Sequence, residues 1–299
     1  MNYHEPALLK ESIELLDIQP DGVYVDVTFG GGGHSKAILE KLGDKGRLIA
    51  FDQDEAALAN VPQDDRLLFV PQNFREIKRF LRYHGFKKVN GILADLGVSS
   101  HQLDEGSRGF SYRFEAPLDM RMSHDMTATA ADLINDLSVE EMQLVFGENG
   151  EVRNARTLAQ QLVTARSQKT IRTIGEFLQV VEPNIIGDRF RYLSQVFQAL
   201  RIEVNQEMEA LKEMLEASKE LLAPEGRIVV IAYHSLEDRL VKNFFKTGDC
   251  SGVQQKDFYG NIARPFRILT KKPVEPSVEE IKRNPRSRSA KLRAAVIAG

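Results

Sequence analysis

The sequence predicts an α/β fold: one doubly wound sheet interrupted by an all-helical insertion. Three observations carry that expectation. Apolar runs alternate with segments of helical period from Val23 to Gly97. From Asp104 to about Leu200 only helix-like stretches follow, with no convincing strand. A strong apolar run, "GRIVVIAYHS", then resumes the first pattern after a stop at Pro224 and Gly226. Such alternation argues a parallel sheet with helices on both faces. The expected domains are 1–103 together with 201–299, and an inserted 104–200.

In order along the chain, Val23 to Val27 reads as the first strand and "SKAILEKL" as the helix that follows it. "GRLIAFDQD" is the second strand, "EAALANV" a short helix and "RLLFVPQNF" the third strand. "FREIKRFLRYHG" has helical spacing and stops at Gly85, before "VNGILADLG" forms a fourth, buried strand. In the insertion, "TAADLINDLSVEEMQLVFG", "RNARTLAQQLVTAR" and "TIGEFLQVV" have the apolar spacing of helices. One long amphipathic segment follows, "VFQALRIEVNQEMEALKEMLEASKELL". Beyond the fifth strand, "LEDRLVKNFF" is its helix, Thr247 to Asn261 a loop, and "FRILTK" and "SAKLRAAVIA" the last two strands.

The composition is that of a soluble globular protein, and no apolar run approaches the roughly 18 residues of a membrane span. The first residues lack the basic start and apolar core of a secretory signal. The single cysteine, Cys250, excludes an internal disulfide framework and suits a reducing cytoplasm. Charge is uneven: from Asn261 to Gly299 ten Lys/Arg face three Glu, a balance of +7, so the rest carries −10 of the total −3. A basic tail fits a polyanionic partner, or simply a solvated strand and its turns.

The first strand runs into "DVTFGGGGHS", residues 26 to 35. A phosphate loop requires G-x-x-x-x-G-K-[ST], and no such lysine follows. A dinucleotide fingerprint starting at Gly30 would place its third glycine on Ser35, and it leaves Asp26 unexplained. S-adenosyl-L-methionine fits better. Asp26 can help hold its cationic amino-acid end, glycines such as Gly30 let the backbone approach, and Asp52 at the end of the next strand can accept both ribose hydroxyls.

In open α/β sheets, ligands lie across the carboxyl ends of the strands. Asp95 ends the fourth strand, where it is either an acceptor for a substrate amine or a simple turn cap. Ser99 and Ser100 follow as pocket candidates. His234 and Ser235 end the fifth strand. With no G-x-S-x-G elbow a hydrolase triad is a poor reading, and His234 is either a pocket residue or a buried hydrogen-bonding histidine. The six histidines are scattered and no pair has zinc-ligand spacing, so no metal is expected.

"HEPALLKES", "DVTFGGGGHS", "FDQD", "GILADLGVSSHQLD", "RGFSY", "PLDMRM", "FQALRIEVN", "YHSLEDR" and "NPRSRSAKLR" stand in that order from His4 to Arg293. Together they resemble the motifs of the bacterial 16S ribosomal RNA cytosine-N4 methyltransferases, over nearly the whole chain. The resemblance implies a Rossmann-like class I methyltransferase sheet and S-adenosyl-L-methionine as cofactor. It implies a cytidine in the decoding region of 16S rRNA, within the small ribosomal subunit, as substrate. By similarity, cofactor contacts fall on Gly32, Gly33, His34 and Asp52, with Phe74 against the adenine and Asp95 and Gln102 near its polar edge. Two departures stand out: Ala232 and Tyr233 replace an expected serine and phenylalanine, and no His-Pro-Ala-Thr stretch precedes "FQALRI".

The candidate catalytic residues are thus Asp95, Ser99 and His234. RNA contact is expected from Arg153, Arg156, Arg166 and Lys169 in the insertion and from Arg286, Arg288, Lys291 and Arg293 in the tail, the alternative being that some tail arginines simply anchor the tail near the sheet. No membrane partner is implied, and a homodimer stays open.

Overall fold

The protein is described by a computed structural model covering residues 6–254 and 264–298. The chain forms two compact units, Met1–Gly97 with Glu209–Gly299, and Val98–Met208.

The first unit opens with helix α1 (Leu9–Leu16), then strand β1 (Val23–Asp26) and helix α2 (Gly33–Lys41). Next come β2 (Arg47–Phe51), β3 (Leu67–Val70), α3 (Ile77–Tyr83) and β4 (Val89–Asp95). "EAALANV" forms a 3-10 turn, Glu55–Asn60, with Asp54 as its cap. The inserted unit contains α4 (Ser100–Asp104), α5 (Ala130–Asp136), α6 (Val139–Leu144), α7 (Ala155–Gln168), α8 (Ile174–Val181) and α9 (Arg189–Asn205). Helix α10 (Glu207–Leu221) returns the chain to the sheet, followed by β5 (Leu222–Ala232), α11 (Ser235–Thr247), β6 (Phe266–Ile268), α12 (Val278–Arg283) and β7 (Lys291–Ile297).

The sheet has the order β3-β2-β1-β4-β5-β7-β6. Its first five strands are parallel, and β7 runs antiparallel between β5 and β6. The run Ile92–Ala94 in β4 and the run Ile228–Ala232 in β5 are buried, which is why both read as continuous apolar segments rather than alternating ones. Strand order reverses between β1 and β4. Ligands of doubly wound sheets lie at such a reversal, against the carboxyl ends of the strands.

The inserted unit has its own core, centred on Ile134, Phe146, Leu158, Phe177 and Leu193. Its edges lie outside the expected 104–200. At the front, Ser99 caps α4, and Val98 and Leu103 pack against this core. At the back, the buried Asn205 side chain accepts from the Met122 amide at 2.7 Å and donates to the Met120 carbonyl at 2.8 Å. Those bonds hold the end of α9 inside the unit.

The long amphipathic segment is two helices rather than one. Gln206 adopts left-handed backbone, φ 49° and ψ 42°, and separates α9 from α10 without a glycine or proline. Pro224 and Gly226 mark an irregularity within β5, where its register against β4 shifts between Val89 and Gly91 and Glu225 has φ 60°. Of the expected loop Thr247 to Asn261, Thr247 ends α11 and Gly248 caps it; residues 255–261 lie outside the described residues. Among the described residues, no helix is long and apolar enough to cross a membrane.

Candidate active site

The glycine loop begins where β1 ends. Asp26 is fully buried: its Oδ1 accepts from the Thr28 amide at 3.1 Å and its Oδ2 from the Ser35 hydroxyl at 2.7 Å. Burial raises its pKa, against hydrogen bonds from Ser35 and Thr28 that favour the charged form. Both oxygens are therefore committed to the loop and to the first turn of α2.

Gly30 and Gly32 have φ of 52° and 77°, left-handed backbone that a side chain would strain. The Gly30 amide donates to Asp52 Oδ2 at 2.7 Å, and its carbonyl accepts from Asn60 Nδ2 at 3.1 Å. Among the described residues, a Cβ on Gly30 would meet nothing within 4 Å, so the loop is open to them on that face. Gly33 is closed instead, since a Cβ there would stand 2.2 Å from Pro6 Cγ.

Asp52, just beyond β2, receives the Gly30 amide on one oxygen and the Asp54 amide, at 2.8 Å, on the other. Burial pushes its pKa up to about 6, with those two bonds opposing. Half-buried Phe74 begins the 3-10 turn after β3, where Asn73 accepts from the Arg75 amide. Asn73 Nδ2 also donates to Gln53 Oε1 at 2.8 Å, tying the Phe74 turn to the loop after Asp52.

Asp95 ends β4. Its amide donates to Thr28 Oγ1 at 2.6 Å, and its Oδ1 accepts from the Tyr233 hydroxyl at 2.8 Å. Its Oδ2 lies 3.6 Å from Nδ1 of His34, beyond hydrogen-bond range, and the side chain is 21% exposed. Burial raises the Asp95 pKa to about 7; the Tyr233 hydrogen bond lowers it, and the charges of Asp26 and Glu237 raise it further. Burial also holds the His34 pKa down at about 4, against a hydrogen bond with the Ala7 backbone, so this imidazole is neutral at pH 7.

Asp26, Gly30, Asp52 and Asp95, with His34, thus line the carboxyl ends of β1, β2 and β4. Other candidates have different work. Ser99 and Gln102 form a capping box on α4: the Ser99 amide donates to Gln102 Oε1 at 3.0 Å, and the Gln102 amide to Ser99 Oγ at 3.2 Å. His234 caps α11, where its Nδ1 accepts from the Glu237 amide at 3.5 Å and its Nε2 lies 3.2 Å from Glu237 Oε1. For His234 the structure supports the hydrogen-bonding reading.

The cationic candidates divide as well. Arg293 is only 8% exposed and clamps Asp238 with bonds of 2.6 and 3.1 Å, which corrects its expected place on an RNA surface. Arg166 donates to the Ile134 carbonyl at 2.7 Å, and Lys169 pairs with Glu176 at 2.7 Å. Arg153, Arg156 and Arg288 are exposed, whereas Arg286 and Lys291 are half-buried.

Thr28, Ser35 and Tyr233 were not singled out as site residues. The first two fall inside the glycine motif, and a signal was available: each is a hydroxyl within reach of a buried aspartate. Tyr233 lies 138 residues from Asp95, and no local pattern reports that pairing.

A parallel sheet of this order with one antiparallel strand, an open glycine loop at its reversal and acidic ends on β1 and β4 define the class I methyltransferases. The chain belongs to the MraW methylase family, whose model matches residues 1–297. It is 55% identical over 99% of its length to ribosomal RNA small subunit methyltransferase H of Bacteroides thetaiotaomicron, covering 97% of that protein. To the protein of the same name from Flavobacterium johnsoniae it is 54% identical, covering 99% of this chain and 98% of the other. Among solved structures, an rRNA methylase from Streptococcus thermophilus aligns with a TM-score of 0.42 at 12% identity, covering 97% of this chain and 94% of that one.

Proposed function

We propose that this chain transfers a methyl group from S-adenosyl-L-methionine to the exocyclic N4 of a cytidine in the decoding region of 16S ribosomal RNA. Family membership and the name shared by its relatives support the reaction class and the rRNA substrate. The observation that carries the chemistry is Asp95, a carboxylate still partly open at the strand reversal, with one oxygen held and the other unbonded among the described residues.

The residues present fit the cofactor. Gly30 leaves open space beside Asp52, whose carboxylate keeps lone pairs for hydroxyl donors after accepting two amides. Gly30, Gly32, Gly33 and His34 would hold the methionine and ribose portions, Asp52 the ribose diol, and Phe74 one face of the adenine. Asp26 serves through the loop that it pins. When bound, S-adenosyl-L-methionine supplies an electrophilic methyl group on a sulfonium, a good leaving group that needs no acid assistance.

The protein's share is alignment and proton acceptance. The N4 lone pair of cytosine is delocalised into the ring, and a hydrogen bond from N4–H to Asp95 draws the nitrogen towards tetrahedral geometry. The same carboxylate then takes the proton lost from N4, a task suited to a pKa of about 7. Neutral His34 adds no positive charge beside it. A base in a structured RNA has to leave its stack to reach such a site. Exposed Arg153 and Arg156 in the inserted unit are suited to phosphate contact, with Arg288 contributing from the tail. A substrate in the small subunit is consistent with a cytoplasmic protein.

The test is methyl transfer from labelled S-adenosyl-L-methionine to small ribosomal subunits from cells lacking this protein, followed by nucleoside analysis. Labelled N4-methylcytidine is the expected product. Label on another base, or none while the cofactor binds, sinks the substrate assignment.

A further inference from the structure

We propose that Tyr233 is a positioning residue for this transfer: its hydroxyl holds Oδ1 of Asp95 and leaves Oδ2 as the oxygen that receives the amine hydrogen. The inference rests on the proposed function and extends it to a residue outside the glycine loop.

A carboxylate at the end of a side chain rotates, and its two oxygens are equivalent until something distinguishes them. Here the distinction is built in. The Tyr233 hydroxyl donates to Oδ1 at 2.8 Å, whereas Oδ2 makes no hydrogen bond among the described residues and lies 3.6 Å from His34 Nδ1. The Asp95 backbone is fixed by its own bond to Thr28.

Tyr233 is itself held at both ends. Its amide donates to Glu237 Oε2 at 2.8 Å, and Glu237 belongs to the capping box that starts α11. Its ring packs against the sheet core and lies over Gly97, where a Cβ would come within 3.4 Å of Tyr233 Cδ2. Burial, followed by the charge of Asp95, raises the tyrosine pKa well above its ordinary value, so the hydroxyl remains a donor throughout the working range.

The charged and titratable groups that face this pair are His34 from α2, Asp26 from the end of β1, and Glu237 from α11; Glu280 adds negative charge at Tyr233. Asp26 and Glu237 both disfavour an anionic Asp95, and His34 is neutral. The hydroxyl of Tyr233 is thus the one neighbour among these that stabilises the carboxylate. Removing it should raise the Asp95 pKa and shift the loss of turnover to higher pH.

The experiment compares the wild-type chain, Tyr233→Phe and Asp95→Asn. Phenylalanine keeps the ring and its packing while deleting only the hydroxyl. For Tyr233→Phe, the acid limb of kcat should move up by about one pH unit, with turnover about tenfold lower at pH 6.5 and a smaller loss at pH 9, where only the lost orientation of the carboxylate remains. Cofactor affinity measured by calorimetry at pH 9 should stay within about twofold.

A second readout needs no turnover. In 13C-aspartate-labelled protein, with Asp95→Asn used to assign the signal, the Asp95 carboxyl should titrate at higher pH in Tyr233→Phe than in wild type. An unmoved carboxyl titration overturns the proposal, as does a kcat reduced by the same factor at every pH. If the carboxyl titration moves but the wild-type chain methylates no cytidine, the proposed function has failed, and the role of Tyr233 in it falls too.

Discussion

The ends of β4 and β5 look equally chemical in the sequence. One finishes in Asp95 and the other runs into His234, and both strands are parallel neighbours at the centre of the sheet. Their polar atoms differ in exposure. His234 Nδ1 accepts from the first turn of α11, and its buried Nε2 has no hydrogen-bond partner among the described residues. Asp95 Oδ2 is likewise unbonded among those residues, but its side chain is 21% exposed against 8% for His234. Unused hydrogen-bonding capacity at a strand end can meet a ligand only where the fold also leaves it exposed. Residue type does not decide it.

The sharpest way to break that contrast is to remove each group in turn. Asp95→Asn keeps an acceptor for Tyr233 but cannot take a proton, so turnover should fall by about 10²–10⁴-fold while the cofactor still binds. Loss of cofactor binding would move Asp95 from the chemistry to the cofactor. Stability should change the other way. The folded pKa of Asp95, about 7, is raised above the ordinary value of 3.8. Its protonated form is therefore favoured in the folded state, and that advantage disappears as pH rises from about 4 to 7. Asp95→Asn should then be more stable than wild type at pH 8 in denaturant unfolding, with the gap closing near pH 4. His234→Ala should do the reverse, losing about 1 kcal/mol of helix capping with turnover nearly intact.

The same contrast runs through the arginines. Arg293 and Asp238 form a bidentate, largely buried pair, and truncation of one partner leaves an uncompensated charge. Arg293→Ala should destabilise the chain by about 3–5 kcal/mol in denaturant unfolding, an effect that would hide any change in RNA affinity. A stable Arg293→Ala chain with weakened RNA binding would return that residue to the RNA surface.

Much of this was legible in the sequence, for identifiable reasons. Strands covered on both faces read as unbroken apolar runs, and the glycine loop with Asp26 and Asp52 declared itself by composition. The helices α1 and α12 were not anticipated. Each is short, and α1 is bounded by left-handed Leu8 and Asp17, residues that carry no such signal. The break at Gln206 is equally silent, because tertiary bonds through Asn205 set it. Ser99 and His234 are different, since the signal lies three residues on. Ser99 with Gln102, and His234 with Glu237, have the spacing of a capping box, a pattern that a helix start alone can produce.

Asp52 offers a smaller, graded test of the sheet end. Its carboxylate must be charged to accept two hydroxyls, and burial sets its pKa at about 6 without ligand. Binding favours the anion, so cofactor affinity should be flat above pH 7 and weaken as pH falls through 6, approaching roughly tenfold per pH unit. Asp52→Asn should bind more weakly at pH 7.5 and lose that dependence in calorimetry. A variant that keeps the wild-type pH profile would assign the titration to another group.

The smallest expected effect belongs to the inserted unit. Arg153 stands just before α7 and Arg156 in its first turn, and both side chains are exposed. Exposure leaves these two cations available to phosphates in a way that Arg293 is not. Replacing both with alanine should leave folding unchanged and reduce the salt slope of RNA binding by about 1–2. The slope is the informative quantity, because it counts displaced counterions and ignores small losses of stability. An unchanged slope would mean that the phosphate backbone is met elsewhere, and the exposed face of α7 would then be a solvated helix surface.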